Sequence, residues 1–269
     1  MNIHGADFHF QGFKRANDQN PVALEFCQWF YVHGDEHTLS LLGDTFDLYP
    51  HTYVKTLQVY EETFSRLSTQ DIQFIPGNHD YGITYLNHMF TWDIFKPGEF
   101  IDSQGRRWWR EHGHEQDPVW GEGGVFDVSS PKGLKAAQTF LATAVTLEKL
   151  FPQLDQRAVQ VANWMVDKVF PEGKRLGWKH YAKVAMDKFN QGYFGYICGH
   201  THDVWDFVFP QGQRMMNPGS WTAERCYFVD VDTDQVYRFT GPDVVTPTNE
   251  FRRTLTFEDT KQLQEAVTV

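Results

Sequence analysis

The chain of 269 residues is 41% apolar, enough to bury a substantial core, and one large domain carrying an insertion is the expectation at this length. Its formal charge of −11, from 24 Lys and Arg against 35 Asp and Glu, argues against a surface that neutralises nucleic-acid phosphates, so no nucleic-acid partner is expected and a phosphate-bearing one would need a local positive centre such as a bound cation. Three widely spaced cysteines, Cys27, Cys198 and Cys226, suit a reducing, cytoplasmic compartment better than a disulfide framework.

The opening MNIHGADFHF lacks the basic-then-apolar pattern of a leader, and no apolar run approaches the ~20 residues of a bilayer span. With 23 Phe and 9 Trp, amphipathic surfaces leave room for peripheral membrane contact. Along the first half, short apolar runs ending in Gly, Asp or His alternate with helical stretches, the pattern of an α/β domain. A helix is predicted from Pro21 to about Val32, with proline in its first turn. TLSLLGD at 38–44 follows as a strand, and then Tyr53, Leu57, Tyr60, Phe64 and Leu67 repeat at three or four residues as one helical face. DIQFIPGNHD at 71–80, RRWWREHGH at 106–114 and GYFGYICGHTH at 192–202 read as further strands. Between the last two, from Leu134 to about Asn190, the period is helical and punctuated by Pro152 and Pro171. This predicts a helical insertion subdomain at 131–190 within a main domain made of 1–130 and 191–269. Two stripes, Leu134, Ala137, Leu141, Ala144 and Val145, then Val161, Trp164, Met165, Val169 and Phe170, are those of packed amphipathic helices, with a lipid or apolar-substrate groove as the alternative. After His202, VWDFVFPQGQRMMNPGSW and ERCYFVDVDTDQVYRFTG predict two hairpins, and the last twenty residues a surface helix or loose end.

Each strand-like run ends in metal-capable side chains: Asp7 and His9, Asp44 with Asp47, Asn78 with His79 and Asp80, His112 with His114, and His200 with His202. On extended backbone, side chains two residues apart point the same way, so Asp7 with His9 and His200 with His202 are expected to present paired ligands. Taken singly the clusters read as turns, caps or exposed histidines. Five in one chain, all at strand ends where open α/β sheets gather their sites, are the signal.

These five motifs, Asp7-x-His9, Gly43-Asp44-x-x-Asp47, Gly77-Asn78-His79-Asp80, His112-Gly113-His114 and Gly199-His200-x-His202, resemble in type and order those of the calcineurin-like metallophosphoesterases. The resemblance implies a four-layer α/β/β/α sandwich of two mixed sheets and hydrolysis of a phosphate ester or pyrophosphate by metal-bound hydroxide. It implies two divalent metal ions, with Asp44 bridging them, Asp7, His9 and His202 completing the first set of ligands and Asn78, His112 and His200 the second. A mixed imidazole and carboxylate set favours manganese, with iron or zinc as alternatives. His79 is cast as the general acid; Asp80 either orients it or caps a helix before Tyr81, and His114 either contacts substrate or supports the ligands. Asn217-Pro-Gly-Ser220 resembles a turn found after the last ligand strand, Arg106, Arg107 and Arg110 are candidates to neutralise a phosphate, and His4, His33, His37, His51, His88 and His180 are expected mostly in solvent.

LLGDTFDLY and the insertion between His112 and His200 resemble the UDP-2,3-diacylglucosamine hydrolase branch, which implies a lipid-nucleotide or other phosphorylated small-molecule substrate. His79 stands where that branch carries Arg, which favours a more general phosphodiesterase or phosphomonoesterase. A non-catalytic interaction scaffold of the same fold is the alternative in another class, and a metallo-β-lactamase-like reading fails because HTHDVW lacks the His-x-His-x-Asp-His pattern. The sequence carries no signature of oligomeric state.

Overall fold

The structure, a computed structural model, describes residues 1–10, 21–46, 56, 58, 60–80, 93–127, 129–137, 139, 177–221, 226–241 and 244–265. The runs singled out at the start of the chain are strands β1 (Asn2–Gly5), β2 (Thr38–Leu42) and β3 (Ile72–Ile75), parallel neighbours in that order. Each carries a polar residue among apolar ones, and His4, Ser40 and Gln73 stand in register across the three. With β4 (Asp93–Ile94), β10 (Cys226–Asp230), β11 (Gln235–Phe239) and β12 (Val245–Thr248) they form, among the described residues, a seven-stranded sheet ordered β12-β11-β10-β1-β2-β3-β4, antiparallel from β12 to β1 and parallel beyond.

A six-stranded sheet faces it, built among the described residues from β5 (Gly98–Ile101), β6 (Arg107–Arg110), β7 (Gly195–Ile197), β8 (Val204–Val208), β9 (Arg214–Pro218) and β13 (Arg252–Thr254) in the order β13-β8-β9-β7-β6-β5. Here β6, β7 and β9 are parallel neighbours, as are β8 and β13. Both predicted hairpins are present, β8 with β9 and β10 with β11, but they lie in different sheets, so the chain crosses between sheets after Pro218.

Helices cover the two outer faces. On the first sheet, α1 (Pro21–His33) buries Ala23, Phe26, Cys27, Trp29 and Phe30, and α2 (Glu61–Leu67) buries Phe64 and Leu67. The aromatic excess of the composition collects here: the Phe26 ring lies 4.4 Å from that of Trp221, 5.5 Å from Phe239 and 5.7 Å from Phe228. On the second sheet, α3 (Trp178–Asn190) and α4 (Phe257–Glu265) bury Tyr181, Ala182, Ala185 and Leu263. Between the sheets Ala6, Leu42 and Ile75 share a core with Trp108, Ile197, Met216 and Val229. The result is the expected helix, sheet, sheet, helix layering.

Of the predicted insertion, the described residues include a helical stretch at 131–137 and all of α3. Leu141, Ala144, Val145, Pro152, the stripe from Val161 to Phe170, and Pro171 lie outside the described residues, as do Asp47, His51, Tyr53, Leu57, Tyr81 and His88. The three cysteines are buried and free. Among the described residues no helix is long and apolar enough to cross a membrane.

His4 is an exception to the expectation that most histidines outside the motifs face solvent. It is 1% exposed on β1, with its ring 4.9 Å from that of Phe100 on the opposite sheet. Burial, reinforced by the nearby Arg110 charge, pushes its pKa down to about 3. Above pH 6.5 both folded and unfolded chains hold it neutral; below, the unfolded chain takes a proton that the folded one refuses, so stability is lost as pH falls from 6.5 toward 3. A single group contributes at most about 1.4 kcal/mol per pH unit. Urea midpoints of the metal-free protein between pH 7 and 5 should therefore fall more steeply for the parent than for His4→Leu; parallel curves would show that His4 is not held neutral.

Candidate metal centre

The described motif residues lie just beyond the carboxyl ends of parallel strands, where strand backbone stops and side chains from neighbouring loops can meet. Asp7 and His9 follow β1, Asp44 follows β2, Asn78 and His79 follow β3, His112 follows β6, and His200 and His202 follow β7. The local backbone is not extended. Among the described residues six non-glycine residues have a left-handed φ: Asp7 (55°), His9 (50°), Asp44 (49°), His200 (70°), His202 (61°) and Asp234 (53°). Five of these are motif residues. Thr201 N–H also bonds Gly199 O at 2.9 Å, which makes His200 the centre of a γ-turn with positive φ. Such backbone costs about 1–3 kcal/mol per residue, and five of them together approach the net stability of a whole domain. Asp and His sit at the low end of that cost, yet the concentration at one place marks a functional site.

This geometry corrects one of the two expected pairings. Asp7 and His9 do meet, with His9 Nε2 3.9 Å from Asp7 Oδ1, but His200 and His202, each on left-handed backbone, go to different groups. His202 joins Asp7 and His9, whereas His200 joins Asp44 and His112; in each trio the donor atoms lie within 4.8 Å of one another. A third trio, His9, Asp44 and His79, connects the two.

In the first trio Asp7 is wholly buried and its Oδ2 accepts the His200 N–H at 3.0 Å. Its other oxygen, Oδ1, is buried with no hydrogen-bond partner, 3.4 Å from His202 Nε2 and 3.9 Å from His9 Nε2. Those two imidazole nitrogens are themselves 3.2 Å apart. An unpaired carboxylate oxygen in a buried position costs at least about 1–3 kcal/mol, and a cation among these three donors would remove that cost. The donor set thus fits a divalent metal.

The second trio fits as well. His112 is fully buried and donates Nδ1–H to Leu42 O at 2.7 Å, because a carbonyl can only accept. Its Nε2 is left facing Asn78 Oδ1 at 3.2 Å and Asp44 Oδ2 at 3.3 Å. Asp44 Oδ1 accepts the His79 N–H at 2.8 Å, and Oδ2 lies 3.9 Å from His79 Nε2. Burial opposes a charge on Asp44, but the fields of His112 and His79 hold its carboxyl well below the usual carboxylate range. Space here is reserved by glycine: a Cβ on Gly77 would collide with Asp44 Oδ1, and one on Gly199 would stand 2.6 Å from Ala6 Cβ and 2.8 Å from Asp7 Oδ2.

Other expectations change. Asp80 is buried and accepts Gly77 N–H at 2.9 Å and Thr45 N–H at 3.2 Å through Oδ2, and Phe46 N–H at 2.8 Å through Oδ1. Its carboxylate therefore ties the loop after β2 to the loop after β3, where the sequence reading had it orienting His79 or capping a helix. His114 lies against the second trio, its ring 5.3 Å from His112 and 6.4 Å from His200, and burial with the neighbouring charges of His112 and His200 pushes its pKa down to about 3. The arginines turn elsewhere. Arg106 binds Asp102 and Asp234, Arg107 binds Glu99, and Arg110 is buried against Ser40 and Gln73, so alternation along β6 spends all three outside the centre.

Asn217 does more than make a turn. Its Nδ2 donates to Gly199 O at 2.9 Å and Thr201 Oγ at 3.2 Å, while Ser220 Oγ–H and Trp221 N–H both donate to Asp7 O, at 3.2 and 3.1 Å. The crossing segment thereby clamps the loops after β1 and β7. Asp117, which sequence reasoning missed, bonds His200 Nε2 through Oδ2 at 3.0 Å. Its one sequence hint is position, three residues beyond His114 and just before Pro118, where an aspartate reads as an ordinary turn residue.

No family model and no curated protein sequence matches the chain. Among solved structures it is similar to a dimetal phosphatase from Danio rerio, at 12% identity over 91% of this chain and 98% of that one, with a TM-score of 0.49. It is similar also to the phosphoesterase YfcE from E. coli, at 14% identity over 92% and 97% with a TM-score of 0.41, and to Vps29 from Entamoeba histolytica, at 14% over 92% and 96% with a TM-score of 0.39. At such scores none of these likenesses bears on the chemistry, which rests on the side chains themselves.

Asp80 offers a direct test of the site's construction. Asp80→Ala would leave three buried N–H groups without their acceptor and should cost about 3 kcal/mol or more in urea denaturation of the metal-free protein. A variant as stable as the parent but with an altered pH–rate profile would return Asp80 to the role of partnering His79.

Proposed function

We propose that this chain is a dinuclear metal-dependent phosphoesterase of the calcineurin-like kind, acting on a phosphate ester or pyrophosphate. The observation that carries the reading is the meeting of two donor trios, one around the unpartnered buried oxygen of Asp7 and one around Asp44, at the carboxyl ends of parallel strands in both sheets. Asp7, His9 and His202 would hold one divalent ion, Asn78, His112 and His200 the other, with Asp44 shared between them. When bound, such a pair neutralises phosphoryl oxygens and makes a water nucleophilic near neutral pH. The imidazole and carboxylate donors suit manganese, iron or zinc.

His79 would protonate the departing oxygen. Its ring packs edge-on against His9 at 4.8 Å and keeps 22% of its side chain exposed, so a substrate could reach it. His114, neutral and adjacent to the second trio, would contact the phosphoryl group. A net charge of −11 leaves the centre as the attractive point for an anionic small molecule. The three free buried thiols support a reducing, cytoplasmic setting. We place the main domain at 1–130 and 191–269, with 131–190 as an insertion. For the UDP-2,3-diacylglucosamine branch, His79 in place of arginine favours a more general phosphoester substrate, and release of UMP from that lipid nucleotide is the assay that would decide for it.

The reading predicts that metal-stripped protein is inactive on bis(p-nitrophenyl) phosphate and p-nitrophenyl phosphate and recovers with Mn(II), Fe(II) or Zn(II). Asp44→Ala should lower kcat/KM most. His79→Ala should cost about 10²-fold or more on alkyl phosphoesters, with their poor leaving groups, and much less on the nitrophenyl esters. A metal-loaded parent silent on both activated esters, or an Asp44→Ala variant matching it, would refute the assignment and leave the scaffold alternative.

A further inference from the structure

We propose that Asp117 is a positioning residue that selects which nitrogen of His200 enters the metal centre: by accepting the Nε2–H it commits Nδ1 as the ligand atom. The inference rests on the metal-centre reading above. Asp117 Oδ2 lies 3.0 Å from His200 Nε2, and a carboxylate that accepts there fixes the imidazole proton on Nε2. The other ring nitrogen is then the one left with a lone pair for the trio it shares with Asp44 and His112. His112, in the same trio, is fixed in the opposite sense, since its Nδ1–H is spent on Leu42 O. Two histidines of one group thus coordinate through different nitrogens, each chosen by an acceptor behind the ring.

Asp117 is itself held from several sides. Its Oδ1 accepts Val119 N–H at 2.8 Å, and its own N–H bonds His114 O at 3.0 Å, closing the short 3-10 turn at His114–Gln116. Helix α3 fastens that turn at both ends: His180 Nε2 bonds Gln116 O at 2.9 Å and the Tyr181 hydroxyl donates to Gly113 O at 3.1 Å. A continuous set of bonds therefore runs from α3, in the second half of the chain, through the turn and Asp117 to His200. Asp117 is absent from the donor trios among the described residues, so it acts through His200 and not as a ligand. A negative partner on the outer nitrogen also makes the inner one more basic, and loss of such partners elsewhere weakens metal binding about 10–100-fold.

The test uses the full chain labelled with 15N-histidine. Long-range proton–nitrogen NMR correlations of the metal-free protein report the tautomer of His200, assigned through His200→Gln, and calorimetric titration with Mn(II) reports each binding event. The parent should show His200 as a single tautomer with its proton on Nε2. Asp117→Ala should lose that uniformity and weaken one of two Mn(II) binding events by about 10–100-fold, with the other event and the thermal midpoint of the metal-free protein close to the parent's. Asp117→Asn, with one acceptor oxygen for the two N–H groups that the carboxylate serves, should fall between the parent and Asp117→Ala in both tautomer uniformity and affinity. A parent His200 protonated on Nδ1, or an Asp117→Ala variant that keeps the tautomer and binds two ions as tightly as the parent, would overturn the inference alone. A parent that binds no divalent ion would refute the metal-centre reading and the coordinating role together.

Discussion

The contact on which the rest depends is the buried carboxylate of Asp7. One oxygen accepts an N–H from the loop after β7 in the second sheet, and the other faces two imidazoles with nothing to accept from. The sheets must approach closely for that contact, which is why the residue before His200 is a glycine with Ala6 and Asp7 packed against it. Apolar side chains between the sheets provide the favourable burial, and the polar groups at the strand ends inherit the geometry that burial imposes.

Preorganisation runs through the whole centre. Main-chain amides hold Asp44 and Asp80, main-chain carbonyl oxygen holds His112, and the Asn217–Trp221 segment holds the backbone of the loops after β1 and β7. Left-handed backbone at five motif residues is the cost of bringing the donors together. Such a site pays for its strain with sheet packing, and the donors keep their places without help from long flexible side chains: aspartate, asparagine and histidine, never lysine or glutamate, make up both trios and Asn78.

Much of this was legible in the chain. Runs such as TLSLLGD and DIQFIPGNHD announce buried parallel strands, and the two tail segments announce hairpins, because periodicity and turn residues are local signals. The motif residues could be named in advance because histidine and aspartate concentrate at the ends of those runs. Of the two i, i+2 pairs, Asp7 and His9 meet while His200 and His202 part, because that argument assumes extended backbone and the positive φ values at these residues are set by contacts between loops far apart in sequence. Asp117, and the loop-tying contacts of Asp80, escaped for a related reason. Each acts through one long-range hydrogen bond set that leaves no periodicity to detect, and Arg110 looked like a phosphate ligand only because its neighbour sequence, not its side-chain direction, was visible.

The placement of β1 carries a further consequence. The strand lies between β2 and β10, and the backbone oxygen of Asp7 is capped by Ser220 and Trp221. One edge of β1 therefore stays without its partner until β10, at Cys226–Asp230, has been made and has folded back. Long-range closure of this kind makes for slow folding, and it means that the donor trios are complete only after the two sheets have closed on each other.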